Sequence, residues 1–198
     1  KFYKKKLTHK QTPFAEFIQK KKLFKKFIIY DLGCGNGRDT VYLNKNNLRC
    51  YGIDKSAIVI KQNKKKNPKL MKNFLYGNFC NFFNKKNLKN KFVIYSRFTW
   101  HTIGYKDEEK LLRSLKKQRK LKYILIETRT TKDELYGVGK KVGLHEYVTS
   151  HYRRFIDPVD IKEKLKKFSK IIFFEQKKGL AKFKKENPCV LRIIAKVR

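Results

Sequence analysis

The sequence predicts an α/β fold: a mostly parallel sheet of seven strands, closed by an antiparallel C-terminal hairpin, with helices on both faces. Three observations carry that prediction. Short apolar runs alternate with Lys-rich amphipathic stretches, the rhythm of strands and crossover helices. The first run, Ile28-Ile29-Tyr30, passes straight into a glycine-rich stretch, Gly33-Cys34-Gly35-Asn36-Gly37. The last two apolar runs have no helical stretch between them. The 198 residues suit one domain with a sizeable core. Within it, residues 1–25 form a leading helical region and residues 128–157 a substrate loop or lid.

Taken in order, residues 13–23 read as a helix with Phe14, Phe17, Ile18 and Leu23 along one side. Residues 26–31 form the first strand and 37–46 a helix. Residues 50–54 form the second strand, followed by a helix over 56–65 with Ser56 as N-cap, ended by Asn67-Pro68. Strands follow at 73–76 and 91–95. The amphipathic helix at 107–119 carries acids in its first turn, where they suit the helix dipole. The fifth strand spans 121–127. The stretch from 128 to 156 holds Gly137, Gly139 and Gly143 and is too long for an ordinary connection, which marks it as a functional loop. Asp157-Pro158 supplies an N-cap and first residue for a helix to about 167. Residues 170–175 and 190–197 are the hairpin strands, joined through 179–188.

Composition narrows the class. Hydrophobic residues are 40% and aromatics 14%, too many for a disordered chain. No apolar run nears the ~20 residues of a membrane helix. Cys34, Cys50, Cys80 and Cys189 lie far apart with no Cys-x-x-Cys pair, which argues against zinc or a disulfide framework and for a reducing, cytoplasmic setting. No metal site is expected. The chain opens on Lys1 rather than Met, so a start upstream is expected. The net charge of +36 admits a polyanionic partner such as nucleic acid or an anionic glycan. It also reflects the Lys-, Asn- and Ile-rich composition that AT-rich codons favour, a bias that does not fully explain it because acids number only 16, and its lysines are spread over the whole chain.

The glycine turn carries the chemistry. A strand that ends in such a turn needs positive φ or close backbone approach, which glycine permits cheaply, and ligands of open α/β sheets bind at the carboxyl ends of strands. A dinucleotide site would require Gly-x-Gly-x-x-Gly, but position 38 is Arg and the third glycine comes one place early, at Gly37. Asp31, just ahead of the first glycine, suits a cofactor with a cationic end, S-adenosylmethionine (SAM). Arg38 is placed to pair with its carboxylate. Asp54 ends the second strand 23 residues after Asp31, near the spacing of a ribose-binding acid, with Lys55 beside it. After the third strand, Asn78 is placed for the adenine edge and Phe79 for stacking.

On these residues the chain resembles the class I SAM-dependent methyltransferases over roughly residues 26–128 and the closing hairpin. The turn, Asp54 and Gly77-Asn78-Phe79 match that family's first three motifs, with Asn78 where Asp is commoner. The resemblance implies a Rossmann-like fold, SAM as cofactor and S-adenosylhomocysteine (SAH) as product. Cofactor contacts are then expected from Asp31, Gly33, Cys34, Gly35, Gly37, Arg38, Asp54, Lys55, Asn78, Phe79 and Ser96.

The acceptor site in such a fold lies beyond the fourth and fifth strands. There is no Asn/Asp-Pro-Pro-Tyr/Phe sequence after the fourth strand, which disfavours exocyclic-amine methylation. No Pro-Cys lies there, and no acid ends that strand. Instead, Ser96-Arg97-Phe98-x-x-His101, Glu127-x-Arg129 with Asp133 and Tyr136-Gly137, and His151-Tyr152-Arg153-Arg154-Phe155 resemble small methyltransferases of glycan and surface-polysaccharide gene sets. Arg38-Asp39 after the turn resembles tellurite-resistance and thiopurine-type enzymes. His101 is the candidate base for a hydroxyl, with His151 and His145 as alternatives and Arg97 beside His101. Arg129, Arg153 and Arg154 can clamp an anionic group, Glu127 can orient an arginine, and Trp100, Tyr136 and Tyr152 can wall the acceptor. The expected activity is O-methylation of a small molecule or sugar. An RNA methyltransferase using the basic surface and a non-catalytic binding module of the same fold are the alternatives.

Overall fold

A computed structural model describes residues 10–84, 88–183 and 186–198. Its main sheet has seven strands: β1 (Ile28–Leu32), β2 (Cys50–Asp54), β3 (Phe74–Tyr76), β4 (Phe92–Arg97), β5 (Leu121–Arg129), β9 (Ser169–Lys177) and β10 (Val190–Val197). Their order in space is β3-β2-β1-β4-β5-β10-β9. The first five run parallel. β10 inserts antiparallel between β5 and the edge strand β9. The fold is therefore Rossmann-like with an antiparallel C-terminal hairpin. The strand order reverses between β1 and β4, so the crevice at their carboxyl ends is where a ligand seats.

Side-chain alternation splits the core into two layers. Phe92 and Ile94 of β4, with Ile124 and Ile126 of β5, pack against α4 (Tyr105–Lys116) through Leu111 and Leu115, and against α5 (Pro158–Lys166) through Ile161 and Leu165. Val93, Tyr95, Tyr123 and Leu125 face the other way, onto Phe14 and Ile18 of α1 (Pro13–Gln19) and Leu43 of α2 (Arg38–Lys45). Helix starts follow from local chemistry. The Thr12 hydroxyl accepts from the Ala15 amide ahead of α1, Ser56 accepts from Val59 ahead of α3 (Ala57–Lys66), and Asp157 accepts from Val159 and Asp160 ahead of α5. Each satisfies amides that a helix start leaves open, at about 1 kcal/mol apiece.

Two regions differ from the sequence reading. The leading helix stops at Gln19, and a 3-10 turn over Lys22–Lys26 follows. That turn leaves Leu23 at 41% exposure and buries Phe24 instead, edge-on to Tyr123 at 5.4 Å. The expected loop over 128–157 is built: β6 (Lys140–Gly143), β7 (Glu146–Val148) and β8 (Tyr152–Arg154) form a second, antiparallel sheet in the order β6-β7-β8. Strands of three or four residues give too short a run for a two-residue period to register, and all of β6 faces outward or nearly so.

Candidate functional site

β1 delivers the chain into the glycine turn at the point where the strand order reverses. Gly33, Gly35 and Gly37 all hold positive φ, at 67°, 52° and 74°. Gly33 also has no room for a side chain: a Cβ there would lie 2.6 Å from Cγ2 of Thr99. Thr99 is fixed in turn by donating its hydroxyl to the Leu32 carbonyl at 2.6 Å, so the segment after β4 is clamped across the end of β1.

Three carboxylates lie under and beside this turn. Asp31 is buried and accepts from the Thr40 hydroxyl at 2.7 Å. Burial, reinforced by the charges of Asp39 and Asp54, pushes its carboxyl up to about 8. A buried acid held there gains from a nearby positive charge, which suits a cationic ligand. Asp54 accepts from the backbone amides of Gly35 at 3.0 Å and Ser56 at 2.9 Å. These bonds tie the end of β2 to the turn, and a carboxylate has lone pairs left for ligand hydroxyls. Asp39, at the start of α2, accepts from the Thr12 amide (2.8 Å), the Thr12 hydroxyl (2.7 Å) and the Tyr95 hydroxyl (2.7 Å), which joins α1, α2 and β4 at one buried point. The buried acids fit the SAM expected from the sequence, a cofactor whose sulfonium and ammonium call for carboxylates nearby.

The remaining cofactor candidates vary in setting. Cys34 is buried and its thiol is pushed well up, first by burial and then by Asp31 and Asp54, so it behaves as a small apolar wall. Arg38 is half-buried beside Arg97 and the Asp31–Asp39 pair, and burial with the Arg97 charge lowers its basicity. Lys55 and Asn78 are exposed. Asn78 folds back on its own turn, accepting from the Cys80 amide at 3.0 Å. Phe79 is 7% exposed and packs into the main core with Cys80 and Phe83, and Ser96 is buried on β4.

The carboxyl ends of β4 and β5 carry the opposite charge. Glu127, fully buried on β5, is held between Arg97 (3.2 Å) and Arg192 of β10 (2.7 Å). Burial raises its carboxyl even so. Arg97 stacks on the Phe98 ring, 3.8 Å from its centroid, and Phe98 itself sits at φ 56° with its amide on the Glu127 carbonyl. Arg129 pairs with Asp133 at 3.0 Å and Glu186 at 2.6 Å. Arg153 of β8 donates to the Thr149 hydroxyl at 3.0 Å and makes no ion pair among the described residues. Among these guanidiniums lies His101, 7% exposed, with its Nδ1 buried and without a hydrogen-bond partner. Burial, then Arg129, Arg153, Arg97 and His151, drive its ring well below the ordinary imidazole range. It stays neutral and accepts a proton poorly. His151 is exposed and is also lowered, by desolvation and by Arg153 and Arg129.

The structure does not bring every sequence candidate to this point. Arg154, expected in the substrate clamp, turns inward: it donates to the buried Glu108 and to the Ile103 carbonyl and stacks on Tyr105. Trp100 donates to the same Glu108 at 2.7 Å, and Lys164 does so at 2.6 Å. Burial opposes ionisation of Glu108, but Arg154 and Lys164 together hold it low. Arg154 thus anchors the second sheet to α4, because a buried guanidinium needs its carboxylate, and Trp100 ties the segment after β4 to the same acid. His145, at φ 57°, bonds the Tyr136 hydroxyl at 2.8 Å, and Tyr136 packs on Tyr147 and Phe155, an aromatic group that adjoins Arg153. Tyr152 donates to Glu146 at 2.8 Å. Arg192 and Glu108 were missed by motif reading. Arg192 left a signal, since a lone arginine inside the apolar run Val190–Val197 demands a buried partner, and its register pairs it with Glu127.

Comparison with known proteins adds the family context. The methyltransferase domain family matches residues 29–120. No curated protein matches the chain. Among solved structures, a SAM-dependent methyltransferase of Clostridium acetobutylicum is 15% identical with a TM-score of 0.68, covering 93% of this chain and 91% of its own. A SAM-dependent methyltransferase of Methanosarcina mazei is 15% identical with a TM-score of 0.71, covering 91% and 96%. The glycopeptide N-methyltransferase MtfA, solved with SAH, is 12% identical with a TM-score of 0.69, covering 96% and 90%. At such identities the likeness is one of fold.

Proposed function

We propose that this chain, a class I SAM-dependent methyltransferase, methylates an oxygen of a compact acceptor, a small molecule or a sugar. The observation that carries the oxygen-acceptor reading is the buried His101, unpartnered at Nδ1 and ringed by Arg97, Arg129 and Arg153, at the carboxyl ends of β4 and β5. That is a site for an oxygen-rich, electron-rich group, two residues beyond Thr99, which itself packs against Gly33 of the glycine turn.

SAM, when bound, supplies a methyl group activated by its sulfonium. The residues of this chain do the rest by alignment. Gly33, Gly35 and Gly37 bring backbone close to the cofactor, flanked by Cys34 and Arg38. Asp31 compensates its positive charge, Asp54 accepts from its ribose, and Lys55, Asn78, Phe79 and Ser96 border it. His101 and Arg97 face the acceptor, with Arg129, Arg153 and His151 on its outer side. Glu127 holds Arg97 in place, and Trp100, Tyr136, His145, Tyr152 and Arg154 support the wall.

Calorimetry with SAM and SAH tests this directly. We expect micromolar binding of both, weakened at least tenfold, or about 1.4 kcal/mol, by Asp54→Ala and less by Asp54→Asn. Absence of binding in the wild type would sink the enzyme reading.

A further inference from the structure

The buried carboxylates of the acceptor side, Glu127 and Asp133, are already committed. Glu127 is spent on Arg97 and Arg192, and Asp133 and Glu186 on Arg129. Asp31 accepts from Thr40 beneath the glycine turn, and Asp54 accepts from Gly35 and Ser56. Four guanidiniums (Arg97, Arg129, Arg153 and Arg192) thus face three carboxylates (Glu127, Asp133 and Glu186), and Arg153 is the one without an ion pair among the described residues. His101 lies edge-on to the Phe98 ring, 5.3 Å between centroids, and Arg97 and Arg129 lie over the same ring; burial and the charges of Arg129, Arg153, Arg97 and His151 drive its imidazole well below the ordinary range. A ring so reluctant to take a proton is a weak base for an alcohol, yet as a neutral imidazole it still has one N–H to give. The site is short of a base and long on positive charge.

We infer that the methyl-accepting oxygen belongs to a carboxylate, seated against His101 among Arg97, Arg129 and Arg153, so that the product is a methyl ester. This rests on the methyltransferase reading above. A lone pair of the carboxylate oxygen forms the new O–CH3 bond. The methyl–sulfur bond breaks and its pair stays on sulfur, which becomes a neutral thioether. No proton moves, and the negative acceptor and positive sulfonium are both discharged, which removes the product's attraction to the arginines. The acceptor's body has a place as well. Arg153 and its hydrogen-bond partner Thr149 also line a cavity of about 140 Å³ otherwise walled by Leu135, Val138, Tyr147 and Phe155. Apolar cavities of about that size hold a benzene ring, so an aromatic or short aliphatic carboxylic acid fits.

The test uses the full chain saturated with SAH, titrated by calorimetry with benzoate, benzamide and inorganic phosphate. Benzoate is expected to bind saturably and at least tenfold more tightly than either competitor. Arg153→Gln should weaken it at least fivefold, while Lys166→Gln, on the far side of α5, leaves it unchanged. With labelled SAM in place of SAH, methyl benzoate should form, slowly, and more slowly still in Arg153→Gln. Benzoate binding no better than benzamide, phosphate binding more tightly, or affinity untouched by Arg153→Gln overturns the inference. So does benzoate that binds alongside SAM and yields no ester, because the carboxylate would then be an anchor and not the acceptor. Failure of SAH itself to bind is a different result and overturns the methyltransferase reading instead.

Discussion

The two sides of the crevice are built on opposite principles. On the glycine-turn side, carboxylates point inward: Asp31, Asp39 and Asp54 are each at most 6% exposed, and their partners are hydroxyls and backbone amides. On the acceptor side, guanidiniums point inward and carboxylates serve them. A chain of net charge +36 nonetheless gathers three of its 16 acids, buried, under and beside one glycine turn. The contrast shows that overall basicity says little about a site; what counts is which charges are buried and with what partners.

The sharpest way to break the contrast is to remove the acid on which the acceptor side hangs. Glu108→Ala strips the carboxylate from Arg154, Lys164 and Trp100 at once. It should cost about 3–5 kcal/mol, the usual effect of orphaning a buried charge, read by urea unfolding. A loss below about 1 kcal/mol would show that the second sheet is not anchored there. Next, Gly33→Ala sets a Cβ against Thr99 at a positive φ and should cost about 1–3 kcal/mol. Gly137→Ala, also at positive φ but with nothing within 4 Å, should cost about 1 kcal/mol. If the two match, close packing of the turn is not what fixes Gly33.

Tyr95→Phe removes one of the donors to Asp39 and should cost about 1–2 kcal/mol, with weaker SAM binding if that buried point sets the position of α2. The smallest effect is on pH. Asp31 is held at about 8 in the fold, above its unfolded value. Its contribution to stability is therefore full at low pH and is lost as pH rises through about 8. Thermal melts should show that decline, Asp31→Asn should flatten it, and bound SAM should offset it by favouring the ionised acid. A wild-type profile identical to that of Asp31→Asn would remove Asp31 from the cofactor side.

The contrast also explains what could be read in advance. The parallel half was legible because each of its signals is local: an apolar run, a glycine turn, an acid at a strand end, an N-cap such as Ser56 or Asp157. β2 and β10 fall at the residues the pattern predicts. The acceptor half depends on partners far apart in sequence, Glu108 with Arg154 or Glu127 with Arg192, and no spacing rule reports those. The His-Tyr-Arg-Arg run at 151–154 illustrates the cost. Its neighbouring arginines look alike as letters, yet strand alternation leaves Arg153 half-buried on the Thr149 hydroxyl and sends Arg154 into the core.

The pairing of Glu127 with Arg192 fixes an order of assembly. A ribosome releases the chain from its N-terminal end, so the glycine turn, Asp54 and the five parallel strands exist before β10 has been made. During that interval Glu127 has Arg97 but not its second guanidinium, and the sheet has no strand beyond β5. A nascent chain at that stage holds the glycine turn and Asp54, while the carboxyl end of β5 still lacks the strand that brings Arg192 to Glu127.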